Sequence, residues 1–559
     1  MFLRKVESKR KSGYTHTTVQ LVESYRNEEG KSRTRILYHF GPLDKFLEED
    51  ADKLIDSVLK MKGEVFLDHL EKFGSAKDFG DLFTIFRLLK ELKFFQEIEK
   101  IKENETRIEF DLVGHINALI SNRVNDPSSK LKLLSWLELV YLPELKSSEV
   151  SYNNILRAMD FLIKHKKRLE ERLAESVLSI FDLSLRMCFY DITSSYFETN
   201  NLSDSDIRCY GYSRDKRSDR VQVTIGVVMT EEGIPIAHYV FPGNTADVST
   251  LQEVVEDIKD RFGDFREVSI ITDKGMTSKK NIDYLLSGDH LFIVGESKTK
   301  KISREILSEA NIEQEDKCSD FTYEKVLPYK YEADGIKRSC NLRYVCSFNP
   351  ETYRLNAEKF KLKLADYEEK LSEINAKNID SADKYSQLKS WLKSHGMIKW
   401  FDLSIQGNIV ISKSNDSVLS SVQAGFGWFI IKSNLSSLEW SKEELVSSYK
   451  TLWKVEHGFR ELKHSFDIRP MYHWTERRIR AHIFLCFISM VATSVIEKRL
   501  KDSGIDMSWE KCLYEMRKIK VIDYRTKSGI YGRAITGISK QQEKLFKAVG
   551  CPKPKFGHL

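Results

Sequence analysis

The chain has 559 residues, 41% of them hydrophobic and 31% charged, with 31 Phe and 23 Tyr spread along it; this excludes a disordered polypeptide and points to two to four folded domains rather than one core. The formal net charge is +6, yet residues 449–559 carry 23 Lys and Arg against 11 Asp and Glu, leaving a net −6 on residues 1–448. Polyanion binding and a solvated basic face explain such asymmetry equally well. The eight cysteines are scattered with no CxxC pair, which argues against a disulfide framework or a zinc site and suits a reducing cytoplasm.

In chain order, the N-terminus MFLRKVESKRKSGY has no apolar signal core, so neither secretion nor a membrane anchor is expected. Residues 1–43 read as a small basic β unit, in which 15–40 alternate β-branched and polar residues around a turn at Asn27 to Gly30, a two-stranded hairpin. Residues 44–182 repeat apolar positions at helical spacing, as in FTIFRLLKELKFFQEI, and are expected to be all-helical. From 183 to 298 the pattern becomes mixed. RMCFYDITSSYFE, VQVTIGVVM, IPIAHYVFP and VSIITD read as strands, Thr250 to Arg261 as a helix before the fourth, then Ser278 to Leu286 as a helix and HLFIVGE as a fifth strand. The order β-β-β-α-β-α-β predicts an α/β fold, a mixed sheet with helices on both faces.

Residues 299–440 break this alternation and read as an insertion. Phe360, Leu364, Tyr367, Leu371 and Ile374 mark an amphipathic helix paired with Tyr385 to Leu392, and FDLSIQGNIVIS and GWFIIKS read as strands. In residues 441–500 one helix is expected from Ser441 to about Ser465, followed by a basic connector and a buried core helix from Ile483 to Ile496, too short an apolar run to cross a bilayer comfortably. Residues 501–559 form a basic C-terminal region ending in PKPKFGHL.

Three carboxylates stand out. Asp191 lies inside an apolar, β-branched strand, where an ionised side chain needs a metal, a cation, or a local turn bond to Thr193 or Ser194. Asp273 ends the fourth strand, where α/β folds place ligands, although it could equally cap the helix that follows. The first and fourth strands of such a unit are neighbours in an RNase H-like sheet, which pairs the two Asp residues. On the third element, at about 100° per residue, Tyr449, Trp453, Glu456, Arg460 and Lys463 share one stripe and Leu452, Val455, Phe459, Leu462 and Phe466 the adjacent one. An ordinary salt-bridged face from Glu456 to Arg460 is the bland alternative. Glu461 lies about 140° around the helix from Glu456.

With these residues in place the chain resembles the DDE transposases of bacterial insertion sequences, in the branch bearing the signature Y-x2-R-x3-E-x6-K. Tyr449, Glu456 and Lys463 match it, and Leu452 stands at the Arg position. The segments YDITS, YGYSRDKRSD and FPGNT add to the likeness, which runs from about Asp182 to Ile496. The resemblance implies an RNase H-like catalytic core with a β-containing insertion, and Asp191, Asp273 and Glu456 holding two Mg²⁺ ions, with Mn²⁺ able to substitute. It further implies double-stranded DNA as partner, both element ends and target, a homodimer in the DNA complex, a DNA hairpin on the way to release, and a cytoplasmic enzyme. Tyr449, Arg460 and Lys463, and more weakly Arg477, Arg478 and Arg480, are the expected DNA contacts, with residues 44–182 expected to recognise the terminal repeats. A catalytically silent DNA-binding derivative and another kind of RNase H-like nuclease are the alternatives.

Overall fold

The computed structural model describes the chain except residues 10–14, 63–69, 106–107, 146–149, 184, 199–206, 263–267, 315, 334, 527–530 and 555–559, which include part of the basic tail. The chain folds as two compact units, Met1–Ala158 with Val495–Leu559, and Met159–Ser494.

In the first unit, the hairpin of Thr15–Arg26 and Ser32–Pro42 turns where expected: Asn27 Oδ1 accepts from the Lys31 amide at 2.8 Å, and Gly30 takes the left-handed conformation at φ 77°. Phe2–Lys9 adds a third antiparallel strand, so the unit is larger than a hairpin. Helices such as Gly80–Glu91 and Leu112–Asn125 follow. The all-helical expectation for 44–182 misses Leu70–Asp78, a strand whose partner, Lys520–Thr526, lies some 450 residues on and pairs in turn with Tyr531–Ile535. The sequence LEKFGSAKD has no β-branched residue, so only the remote partner makes it a strand. Nearby, Arg517 Nε and Asn125 Nδ2 both donate to buried Asp81, at 2.9 and 2.7 Å.

In the second unit, Met187–Tyr196 (β1), Gln222–Met229 (β2), Pro235–Pro242 (β3), Ser269–Thr272 (β4) and Leu291–Glu296 (β5) lie in the order β3-β2-β1-β4-β5. β1 to β3 are antiparallel neighbours, and β4 and β5 run parallel to β1. This is the expected RNase H-like order. All eight residues of β2 are buried, because helices cover both faces of the sheet. Among those helices are Lys166–Ile180 (α1), Asp247–Phe262 (α2) and Lys279–Ser287 (α3).

The inserted segment does more than interrupt the chain. After helix Lys301–Glu313 (α4), strands Phe321–Ala333 (β6) and Ile336–Phe348 (β7) pair antiparallel, and Trp428–Ser433 (β10) joins β7 to the outer edge of β5. One eight-stranded sheet results, in the order β6-β7-β10-β5-β4-β1-β2-β3. Pro328 masks β6 in the sequence, yet β6 is the edge strand, where proline is tolerated. Between β7 and β10, helices Pro350–Ala376 (α5) and Ser381–Ser394 (α6) and the hairpin Phe401–Gln406 (β8) and Ile409–Ser414 (β9) enclose a separate core that includes Phe360, Tyr367, Ile374, Leu388 and Leu392.

The single helix expected after Ser441 is two, Lys442–Lys450 (α7) and Trp453–His464 (α8). Ser441 and Glu444 form a capping box at the start of α7. At its end Thr451 Oγ1 donates back to the Ser447 carbonyl at 3.1 Å, a bond that bends helices. The apolar run beyond lies in the longer helix Glu476–Asp502, which is long and apolar enough to cross a membrane, but 89% of its most apolar stretch is buried.

A buried ion cluster ties α1, β3 and α2 together. Glu170, on α1, accepts from Lys166 Nζ at 2.9 Å, Arg261 at 2.7 Å and the His238 amide at 3.2 Å, and meets the His238 ring. Burial alone would raise its carboxyl; Lys166, His238 and Arg261 outweigh burial and hold it well below the usual range. Burial pushes His238 down to about 4 despite Glu170. Because His238 takes a proton at 6.5 when exposed and only near 4 when folded, the unfolded chain binds the extra proton between those values, and stability falls as pH drops from 6.5 towards 4. Glu170 adds to the loss at lower pH, for the same sign of reason. Glu170→Gln should cost about 3–5 kcal/mol in urea unfolding at neutral pH, and His238→Asn should flatten the acid limb. Equal midpoints for wild type and Glu170→Gln would show that the cluster ties nothing.

Candidate active site

In the parallel pairing of β1 with β4, Tyr190 lies opposite Thr272, so Asp191 and Asp273 follow side by side, Asp191 still within β1 opposite Val227 of β2 and Asp273 just past the end of β4. Asp191 sits between buried Tyr190 and Ile192. Its Oδ1 accepts from the Ile192 amide at 2.7 Å, a shorter local loop than the turn bond to Thr193 or Ser194 that was the alternative to a metal or cation. Burial, with Asp273 and Glu456 adding to it and the Ile192 amide and Arg214 opposing, pushes Asp191 up to about 7. The two Asp residues and Glu456 therefore share one electrostatic site. The grouping is loose: among the described residues no three His, Cys, Asp or Glu side chains stand close enough to hold a metal ion as they are.

Asp273 does not act as a helix cap. Its side chain makes no capping bond, and α3 is capped by Ser278, whose Oγ accepts from the Asn281 amide at 3.1 Å. The Tyr449 hydroxyl donates to Asp273 Oδ1 instead, at 3.1 Å, and burial with Asp273 beside it keeps that phenol protonated. Tyr449 comes from α7, and its ring stacks on Phe429 of β10 at 5.8 Å between centroids. Gly295 of β5 makes room: a Cβ there would stand 2.4 Å from the Tyr449 hydroxyl.

Helix α8 carries Glu456. It seats on the sheet through Gly458, where a Cβ would come within 2.3 Å of the Met229 methyl, and buries Val455, Phe459 and Leu462. Glu456, Arg460 and Trp453 point to solvent. Glu461 is buried, so the two glutamates do face different surroundings. Leu452 is only 6% exposed; at this position the chain packs where the signature has a cation.

Lys463, two turns along α8 from Glu456, bonds Asp215 at 3.0 Å, and Arg469 reaches the other oxygen of Asp215 at 2.9 Å. Asp215 belongs to the connection between β1 and β2. From the same connection Arg214 pairs with Asp247, donates its amide to Ser194 Oγ at 3.1 Å and counters the charge of Asp191. Sequence reading singled out neither Arg214 nor Arg469. The basic run SRDKRSDR was the available signal for Arg214, and the basic connector RPMYHWTERRIRAH that for Arg469, but neither says which cation faces inward.

The remaining candidates lie elsewhere. Arg477 and Arg478 pair with Asp160, at 2.9 and 3.7 Å, and Arg480 bonds Glu476 at 2.7 Å and the Val240 carbonyl at 2.6 Å. None of the three is linked to the carboxylates by these bonds.

Residues 194–492 match the transposase DDE domain family, and residues 3–71 match the N-terminal domain of IS1634 family transposases. The first span begins just after Asp191 and takes in Asp273 and Glu456. No curated protein matches. Among solved structures, a Mos1 transposase paired-end complex with left transposon end is similar at 13% identity and a TM-score of 0.14, over 33% of this chain and 58% of that one. The chain thus spans little more than half of that protein's length, and so slight a likeness adds nothing to the fold assigned from strand order. The DDE domain match covers more than half of the chain, and the chain belongs to the DDE transposases of insertion sequences.

Proposed function

We propose that this transposase cuts the phosphodiester backbone at the ends of its element and joins the freed 3′-OH to target DNA, using Asp191, Asp273 and Glu456 as the ligands of two Mg²⁺ ions. The observation behind this reading is the electrostatics of Asp191, a strand carboxylate raised to about 7 by burial with two further carboxylates beside it. Such crowding is what a divalent cation relieves, and a donor set of oxygens alone suits Mg²⁺ or Mn²⁺. When bound, the ions supply an activated water and stabilise the leaving 3′ oxygen.

The protein's own groups do the rest. Tyr449 orients Asp273 through its hydroxyl and, in this reading, supports the DNA end beside it. Arg460 and Lys463 on α8 flank Glu456 and hold phosphates, with Arg214 nearby. The N-terminal basic sheet and the helices after it recognise the terminal repeats, the basic residues of 449–559 track the backbone, Arg477, Arg478 and Arg480 among them, and a homodimer brings two ends together in the cytoplasm. Tyr449, Glu456 and Lys463 support a reading of the chain in the tyrosine-glutamate-lysine branch, with Leu452 as its departure.

Asp191→Asn, Asp273→Asn and Glu456→Gln should each lower cleavage of a labelled element end by more than about 100-fold, with folding and end binding intact. Chelator should stop the wild-type reaction, and Ca²⁺ should support binding without cutting. Glu461 is buried, so Glu461→Gln should instead lower stability, by about 1–3 kcal/mol, and cut once folded. An active Glu456→Gln beside a folded, inactive Glu461→Gln would reverse the assignment.

The basic C-terminal region carries its own test. Replacing Lys and Arg residues within 449–559 should reduce the dependence of log affinity on log salt by about 0.9 for each phosphate contact removed. An unchanged slope would assign that charge to a solvated face.

A further inference from the structure

Residues 207–221 of the connection from β1 to β2 contain five cations, Arg208, Arg214, Lys216, Arg217 and Arg220, and two carboxylates, Asp215 and Asp219. Asp219 spends its charge within the connection, on Arg217 at 2.8 and 2.9 Å. Asp215 reaches out of it. One of its oxygens takes Lys463 of α8 at 3.0 Å and the other takes Arg469, beyond α8, at 2.9 Å. A carboxylate bridging two cations from another part of the chain has the charge and the two-oxygen face of a backbone phosphate.

Several details show that this contact is made at a cost. Lys463 and Arg469 are 12% and 17% exposed and Asp215 18%, so each is largely desolvated, and burial lowers the Lys463 ammonium from its usual value. The next residue, Lys216, is held in the left-handed region at φ 58°, strained for a residue with a side chain. Arg469 also stacks over Tyr196 at the end of β1, 4.5 Å from the ring centre, so its guanidinium keeps a fixed place without Asp215. Lys463 is seven residues from Glu456, about 10 Å along the helix, or about three nucleotide rises of 3.4 Å.

We infer that Lys463 and Arg469 form one seat for a backbone phosphate, about three nucleotides from the cut, and that Asp215 occupies this seat while no DNA is bound and is displaced by the phosphate. The inference rests on the reading of the chain as a DNA-cutting enzyme. Arg469 thereby becomes a DNA contact, and with Leu452 buried at the signature's Arg position the grip on that strand falls to Lys463 and to Arg469, a cation outside the signature. Asp215 sets a threshold: a weakly held duplex does not open the seat, whereas an end held by the rest of the protein does.

The test is the affinity of the full chain for a fluorescent duplex at low salt in chelator, where nothing is cut. Asp215→Asn should bind on the order of five- to tenfold tighter than wild type. Asp219→Asn removes the same charge from the same connection and should change affinity less than about twofold. The gain should vanish when Lys463→Gln and Arg469→Gln are also present. If Asp215 is instead a permanent brace, Asp215→Asn binds no tighter than Asp219→Asn, and the inference fails.

A second arm leaves Asp215 intact, in case Asp215→Asn melts early. Lys463→Gln with Arg469→Gln should reduce the salt slope by about 0.9, one phosphate contact, whereas a seat closed permanently by Asp215 would leave the slope unchanged and overturn the inference. A wild-type chain that binds no duplex overturns both this inference and the proposed function; one that binds duplex but does not cut with Mg²⁺ overturns the proposed catalysis and leaves the seat to be judged on these affinities.

Discussion

The burial of the Asp191 carboxylate, with Asp273 and Glu456 adding their charge, is the constraint around which the second unit is arranged. Asp191 cannot retreat from it. Its neighbours in β1 are buried, its backbone lies between β2 and β4, and β4 delivers Asp273 beside it. Glu456 comes in on a helix seated by the contact of Gly458 with Met229. Of the three, Glu456 alone projects into solvent and adjusts at little cost. The scaffold thus gathers carboxylates around the end of β4, an arrangement that is unfavourable by itself and that the proposed divalent cations would relieve. Where α1 packs on the same sheet the opposite solution is used. Glu170 is fully buried but surrounded by Lys166, Arg261 and His238, so its charge is met by protein alone.

The inserted segment belongs to this design. Through β10 it closes the outer edge of β5, and Phe429 of β10 and Gly295 of β5 together shape the slot in which Tyr449 reaches Asp273. A change in the pairing of β5 with β10 by one residue would turn Phe429 to the other face and remove the slot's wall. The tyrosine of the signature therefore depends on β10, close before it in the sequence, and on β5, about 150 residues earlier.

Much of this was legible in the sequence, for local reasons. Strands β1 to β5 are short apolar runs bounded by turn residues, and each was placed to within a few residues. The two Asp residues stood out because a carboxylate in or at the end of an apolar strand is costly, and Glu456 because helical spacing sets it apart from a packing stripe. What stayed hidden depends on partners remote in sequence. Leu70–Asp78 is a strand because of Lys520–Thr526, and β6 and β7 join the sheet because β10 bridges them to β5. The pairing of Lys463 and Arg469 on Asp215 joins a helix and its exit to a connection some 250 residues earlier. Periodicity shows which face a residue lies on; it carries no information about which opposite charge it will meet.

The sheet's strand order has a consequence for how the protein is made. β5 has the sequence LFIVGE, and its outer partner β10 lies about 130 residues further on. At about 5–20 residues per second during synthesis, the nascent chain carries an apolar strand with a bare edge for on the order of ten seconds, and such an edge is a template for pairing with another chain. A message broken within the insertion makes that exposure permanent. Its product would be a fragment prone to aggregate, not a soluble protein that merely lacks Glu456.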